Sequence, residues 1–133
     1  MLFAVKNIAL QVPYDTAYNY LTDISKLPEW TNAFAEVYDD GTALMRTPAG
    51  EVRVTLEGRS NREHGTIDTR MIFPDNSEGM AYSRLIELAQ GSCAYSFVLP
   101  APPGPLEQIE GDLEQQASVV ERELAVLKSK LEA

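Results

Sequence analysis

"VPYDTAYNYLTDISKLPEW" (residues 12–30) holds a helix start, a helical face and a second break in one short block, and its flanks decide what that block serves. Pro13 suits the first turn of a helix, where a missing N–H costs nothing. Ala17, Tyr20, Leu21 and Ile24 then recur at helical spacing. Pro28 interrupts that pattern, so a second, shorter turn should carry Trp30. Upstream, "MLFAVKNIALQV" sets Ile8, Leu10 and Val12 on one face of a strand. Downstream, from about residue 33 to 99, the apolar period changes to two.

Turn signals divide that second region: "DDG" at 39–41, "PAG" at 48–50, "EHG" at 63–65, "PDNSEG" at 74–79 and "QG" at 90–91. Between them Val52, Val54 and Leu56 alternate with Arg53, Thr55 and Glu57, and Ile67, Thr69, Met71 and Phe73 alternate with Asp68, Arg70 and Ile72. Tyr82, Ile86 and Leu88 share a parity, as do Cys93, Tyr95, Phe97 and Leu99. Strands joined by turns this short pair as hairpin neighbours, which gives an antiparallel meander. One face is apolar and needs a cover.

The cover follows "PAPPGP" (100–105), whose four prolines end the sheet. Leu106, Ile109, Leu113, Ala117, Val120, Leu124, Leu127 and Leu131 form one stripe of a long helix over about 104–131. Acidic residues crowd its first turns, and Lys128 and Lys130 stand in its last, the polarity a helix dipole favours. Gly111 is its weakest place, and a start near Asp112, with Gln115 completing a capping box, is the alternative. A twisted sheet curls, so a straight helix laid across its hollow side leaves space. The short helices around Tyr14–Trp30 would plug one end, with Pro28 turning the chain and Trp30 and Phe34 supplying bulk.

With these elements in place, the order of strand, two short helices, meander and long final helix resembles the helix-grip fold of the START-like (SRPBCC) superfamily. The block at 12–30 is similar to the opening of its polyketide cyclase/dehydrase and lipid-transport branch, with Asp23, Pro28 and Trp30 at the matching places. Thr31-Asn32 followed by Ala-Phe departs from that pattern, where relatives often carry another tryptophan or proline. The resemblance implies an α+β fold: a curved antiparallel sheet of about seven strands, two short helices after the first, and a final helix across the concave face. It speaks to fold more than to chemistry.

A chain of 133 residues is expected to form one domain, 1–133. The net charge of −9 repels phosphate backbones and anionic bilayers, so neither nucleic acid nor a membrane surface is the expected partner. No run is long enough to span a bilayer, the N-terminal stretch lacks signal-peptide features, and the one cysteine, Cys93, rules out an internal disulfide. A cytoplasmic protein is the default expectation, monomeric or homodimeric.

No motif for a nucleophile, nucleotide, flavin or metal is present, and no cofactor is expected. His64 lies in a turn, and Cys93 begins a strand as a small buried hydrophobe. What remains is an apolar cup with a few polar groups. Its expected lining is Trp30, Phe34, Leu56, Met71, Tyr82, Arg84, Tyr95, Phe97, Leu113, Ala117 and Val120. Arg84 shares the parity of Tyr82, so it either points inward toward a ligand carboxylate or phenolate, or stands in water at the mouth of the cavity or past a bulge. The leading expectation is binding or transport of a small hydrophobic or amphipathic molecule (a lipid, isoprenoid or aromatic polyketide). A polyketide cyclase or dehydratase using Arg84, Tyr82 and Tyr95 is one alternative, and a protein-interaction module using the final helix is another.

Overall fold

The computed structural model describes residues 3–47, 50–100 and 106–133, with side chains in the last segment from residue 111 onward. Strand β1 (Phe3–Leu10) leads through Pro13 into helix α1 (Tyr14–Thr22). A 3-10 turn (Ile24–Lys26) follows, then helix α2 (Leu27–Trp30). Asp23 ends α1 and starts the 3-10 turn, because its carboxylate accepts the backbone N–H of Ser25 at 3.1 Å. Pro28 sits in the first turn of α2 and lacks only a donor that a helix start leaves unused.

Six strands then form the meander: β2 (Phe34–Val37), β3 (Thr42–Thr47), β4 (Gly50–Asn61), β5 (Thr66–Ile72), β6 (Glu78–Leu88) and β7 (Ser92–Pro100). All pairs are antiparallel, in the order β1-β7-β6-β5-β4-β3-β2, so β1 returns to close the sheet beside β7. Helix α3 (Leu106–Leu131) completes the chain. It begins at Leu106, six residues before the Asp112 alternative. The side chains of Leu106 and Ile109, the first two members of the expected stripe, lie outside the described residues, as do Pro48, Ala49 and residues 101–105.

Register shows which residues share a face. Ile8 stands opposite Tyr95 and Leu10 opposite Cys93, while Leu85 faces Tyr95 from the other side. Leu56 pairs with Met71, and Val54 with Ala43. These positions form the concave face, and α3 lies over its β1–β7 side and against α2. One apolar cluster joins Leu10, Val12, Ala17, Tyr18, Leu21, Trp30, Ile67, Leu85, Cys93, Tyr95, Leu124 and Leu127. A second joins Phe34, Ala43, Val54 and Leu56 at the β2–β4 side.

One local arrangement differs from the sequence reading. In α1 the buried aromatic is Tyr18, with Tyr20 only half-buried. Tyr18 stacks on Tyr14, and the Arg62 guanidinium lies 4.4 Å from its ring centroid, so the turn after β4 holds it down. The free edge of β1 is also closed at its end. Lys128 Nζ donates to the Ala9 carbonyl at 2.8 Å, Gln11 N–H donates to Glu132 at 2.9 Å, and Lys128 and Glu132 pair at 2.5 Å. The last turn of α3 thereby takes up backbone groups that an exposed strand edge would offer to another chain.

Candidate functional site

The concave face is not equally filled along its length. At the end where β1 leaves for α1, the void between α1, the turns after it and strands β4 and β5, lined by Leu21, Ile24, Leu27 and Gly58 among others, holds only about 20 Å³. At the opposite end, apolar side chains that point toward α3 stay half-exposed: Met45, Val52, Met71, Phe73, Phe97 and Leu99. These come from strand ends that lie together, with Met45 opposite Val52 and Met71 opposite Gly79.

The floor between them is made of small residues. Along β6 the concave positions are Gly79, Ala81 and Ser83 before Leu85 restores bulk. A Cβ at Gly79 would sit 3.3 Å from Met71 Cε and 3.6 Å from Phe73 Cε2, so those two side chains arch over this glycine. Small residues beneath and half-covered Met and Phe at the rim make an apolar patch on the concave face, a mouth beside the β1–β7 side that α3 covers.

The expected lining residues fall into two groups. Trp30, Phe34, Leu56, Tyr95, Leu113 and Ala117 are buried, and Met71, Phe97 and Val120 are half-buried, all on the side of the sheet that α3 covers. Trp30 meets Tyr95 edge-on at 6.3 Å between ring centroids, so it acts as the plug between α2 and β7. Tyr82 and Arg84 correct the sequence reading: both face outward on the convex side, Tyr82 with 44% of its surface exposed. Tyr82 pairs with Val98, and Arg84 with Ser96 and Thr66, while Arg84 Nε donates to the His64 carbonyl at 3.2 Å. The parity failed because the inward positions of β6 are the small ones, while Tyr82, Ile86 and Leu88 decorate the outside.

Polar groups on the concave side are few. Ser83 is buried, and its hydroxyl donates to the Ile67 carbonyl at 2.5 Å. Burial pushes the Tyr95 phenol well above its ordinary value, with the Ser83 hydroxyl partly opposing. Tyr95 therefore stays protonated at any physiological pH and serves as a hydrogen-bonding group, not as a base. Cys93 is fully buried, and burial raises its thiol as well, which leaves it unreactive.

A second recess lies on the other flank of α3. A pocket of about 350 Å³ runs between α2 and α3 and is lined by Glu29, Trp30, Thr31, Asn32, Val119, Arg122, Glu123 and Val126. The sequence reading missed it, because it depends on α2 docking beside α3. Its one trace in the sequence is the pair Val119 and Val126, seven residues apart and outside the core stripe.

No protein-family model matches the sequence, and no curated protein matches it at a significant level. Solved structures do match. The Zhui aromatase/cyclase from Streptomyces sp. R1128 superposes with a TM-score of 0.68 at 12% identity, covering 98% of this chain and 93% of that one. The Aha1 dimer from Colwellia psychrerythraea gives 0.62 at 17% identity, over 98% and 96%. A START superfamily protein from Mycobacterium smegmatis gives 0.54 at 15% identity, over 90% and 94%. At these identities the likeness is one of fold. The chain has the START-like (SRPBCC) helix-grip fold, with seven antiparallel strands and a long final helix over the curved sheet. Among the described residues no helix is long and apolar enough to cross a membrane.

Proposed function

We propose that the protein binds a small hydrophobic or amphipathic molecule, of the lipid, isoprenoid or aromatic polyketide kind, at the apolar mouth on the concave face. The observation that carries this reading is the half-exposed set Met45, Val52, Met71, Phe73, Phe97 and Leu99, standing around a floor of Gly79, Ala81 and Ser83. Apolar side chains that stand on the concave face and still meet solvent are covered when a guest arrives. Methionines at the rim adapt to guests of different outline. The polar groups favour holding over transforming. Tyr82 and Arg84, the donors a cyclase reading needs, lie on the convex side, and Tyr95 remains as one hydrogen-bond donor without a base beside it.

The test is a titration with N-phenyl-1-naphthylamine, a neutral apolar fluorophore. Saturable one-to-one enhancement is expected for the wild type, with loss in Ala81→Phe, which fills the floor, and in Val52→Asp, which puts a charge on the rim. Each variant is checked for an unchanged far-UV spectrum. Absence of saturable binding to the wild type, or equal binding to both folded variants, rejects the reading.

A further inference from the structure

The recess between α2 and α3 is chemically unlike the apolar mouth. Its walls combine the Trp30 ring and the side chains of Val119 and Val126, the latter 43% exposed, with Arg122, Glu123, Glu29, Thr31 and Asn32. At about 350 Å³ it lies within the roughly 300–1,000 Å³ of small-molecule sites.

Matching donors to acceptors shows what this recess lacks. Glu29 is served by the Tyr20 hydroxyl at 3.0 Å and by Lys26 at 3.4 Å. The nearby Asn32 backbone N–H opposes the rise that burial imposes on the Glu123 carboxyl. The Thr31 hydroxyl donates to the Leu27 carbonyl at 2.7 Å, and the Asn32 carbonyl accepts from Arg46 at 2.9 Å. Among the described residues the Trp30 indole, the Arg122 guanidinium and the exposed Asn32 side-chain amide are left without a partner, and of these only Arg122 carries a charge. The Trp30 indole N–H has no acceptor but is closed to solvent, so the recess meets the face of the ring and not this donor. Arg122 is exposed at the rim and takes part in no ion pair or hydrogen bond.

We infer that this recess is a second binding site, which takes a small monocarboxylate with an aliphatic or aromatic body: the carboxylate on Arg122, the body along Val119, Val126 and the Trp30 ring. Arg122 suits a carboxylate because its planar fork matches two oxygens. Glu123 adjoins this position. Burial raises its carboxyl above the ordinary value, with the Asn32 N–H and the Arg122 charge opposing. Its charge competes with the ligand for Arg122 and sets the affinity low. The site stands apart from the apolar mouth and does not depend on it.

Trp30 is the only tryptophan of the chain, so its emission reports on the recess directly. The probe is octanoate, which does not absorb where tryptophan does, with octanol as the neutral control. A saturable change in Trp30 emission is expected with octanoate and not with octanol. Arg122→Ala should weaken octanoate binding about tenfold, the scale of one charge-assisted hydrogen bond. Glu123→Gln, which removes the neighbouring negative charge at nearly the same size, should tighten it. Ala81→Phe should leave it unchanged, and Arg122→Ala should leave N-phenyl-1-naphthylamine binding unchanged. The inference is overturned if octanoate gives no saturable response, or if octanol and Arg122→Ala match octanoate and wild type. A response that Ala81→Phe abolishes and Arg122→Ala spares places the carboxylate in the apolar mouth, which overturns the second site and leaves the first intact.

Discussion

Replacing Leu127 by alanine removes a side chain with no exposed surface, held in one cluster with Leu10 of β1, Cys93 of β7 and Trp30 of α2. Where α3 folds over its own sheet, that cluster cannot close the gap by sliding, because Lys128 and Glu132 fix the next turn to Ala9 and Gln11. A buried Leu→Ala change costs about 2–5 kcal/mol, the upper half where the site cannot collapse. Taking about 3 kcal/mol, and an unfolding entropy of about 2.1 cal/mol/K per residue, the midpoint should fall by about 10 °C for a chain this long. The control is Val126→Ala one position earlier, 43% exposed, which should change stability by about 0.5 kcal/mol or less. Differential scanning calorimetry and sedimentation velocity on the same samples separate the outcomes. A lowered midpoint with unchanged oligomeric state follows from a helix packed on its own sheet. An unchanged midpoint with a dissociating oligomer would refute that packing and make the stripe a seam between chains.

Three further outcomes follow from particular residues. Glu123→Gln should raise the midpoint at pH 7 and not at pH 4: burial raises the folded-state value of this carboxyl above its ordinary 4.5, so wild-type stability falls as pH rises through that window and the amide does not titrate; equal midpoints at pH 7 would remove the burial penalty assigned to it. Gly65→Ala should cost several kcal/mol in urea unfolding, since Gly65 has φ +74° and an added Cβ would run into the Leu85 carbonyl while the Leu85 N–H bonds to Gly65 O at 2.7 Å; a change under about 1 kcal/mol would mean that the turn relaxes freely. Tyr82→Ser and Arg84→Ala should leave N-phenyl-1-naphthylamine affinity unchanged, because both side chains face the convex side; a loss in either would return them to the binding face.

Most of the architecture was legible because burial left a periodic trace. The stripe of α3 is visible where Leu113, Ala117, Leu124 and Leu127 are all buried; β4 declares its inward parity by setting Val52, Val54 and Leu56 against polar neighbours, and β7 by placing its bulkiest side chains, Tyr95, Phe97 and Leu99, on one parity. Strand β6 does the opposite. Its inward residues are small where the hollow needs room, and its outward residues are large, so hydrophobicity points away from the face that matters. Tyr18 was passed over for Tyr20 because the residue that holds it, Arg62, comes from a turn distant in sequence. The recess beside Trp30 was invisible for a related reason: Arg122 and Glu123 read as an ordinary solvated helix flank until α2 is set against them.

The binding mouth itself can be read one methyl group at a time. The chain has four methionines; Met45 and Met71 stand at the rim of the concave face, whereas Met80 pairs with Arg70 on the convex side. In a ¹³C-methyl methionine spectrum titrated with N-phenyl-1-naphthylamine, the Met45 and Met71 signals should move to saturation together while Met80 stays in place. Movement of Met80 with Met45 and Met71 still would put the guest outside the sheet and contradict a binding mouth on the concave face.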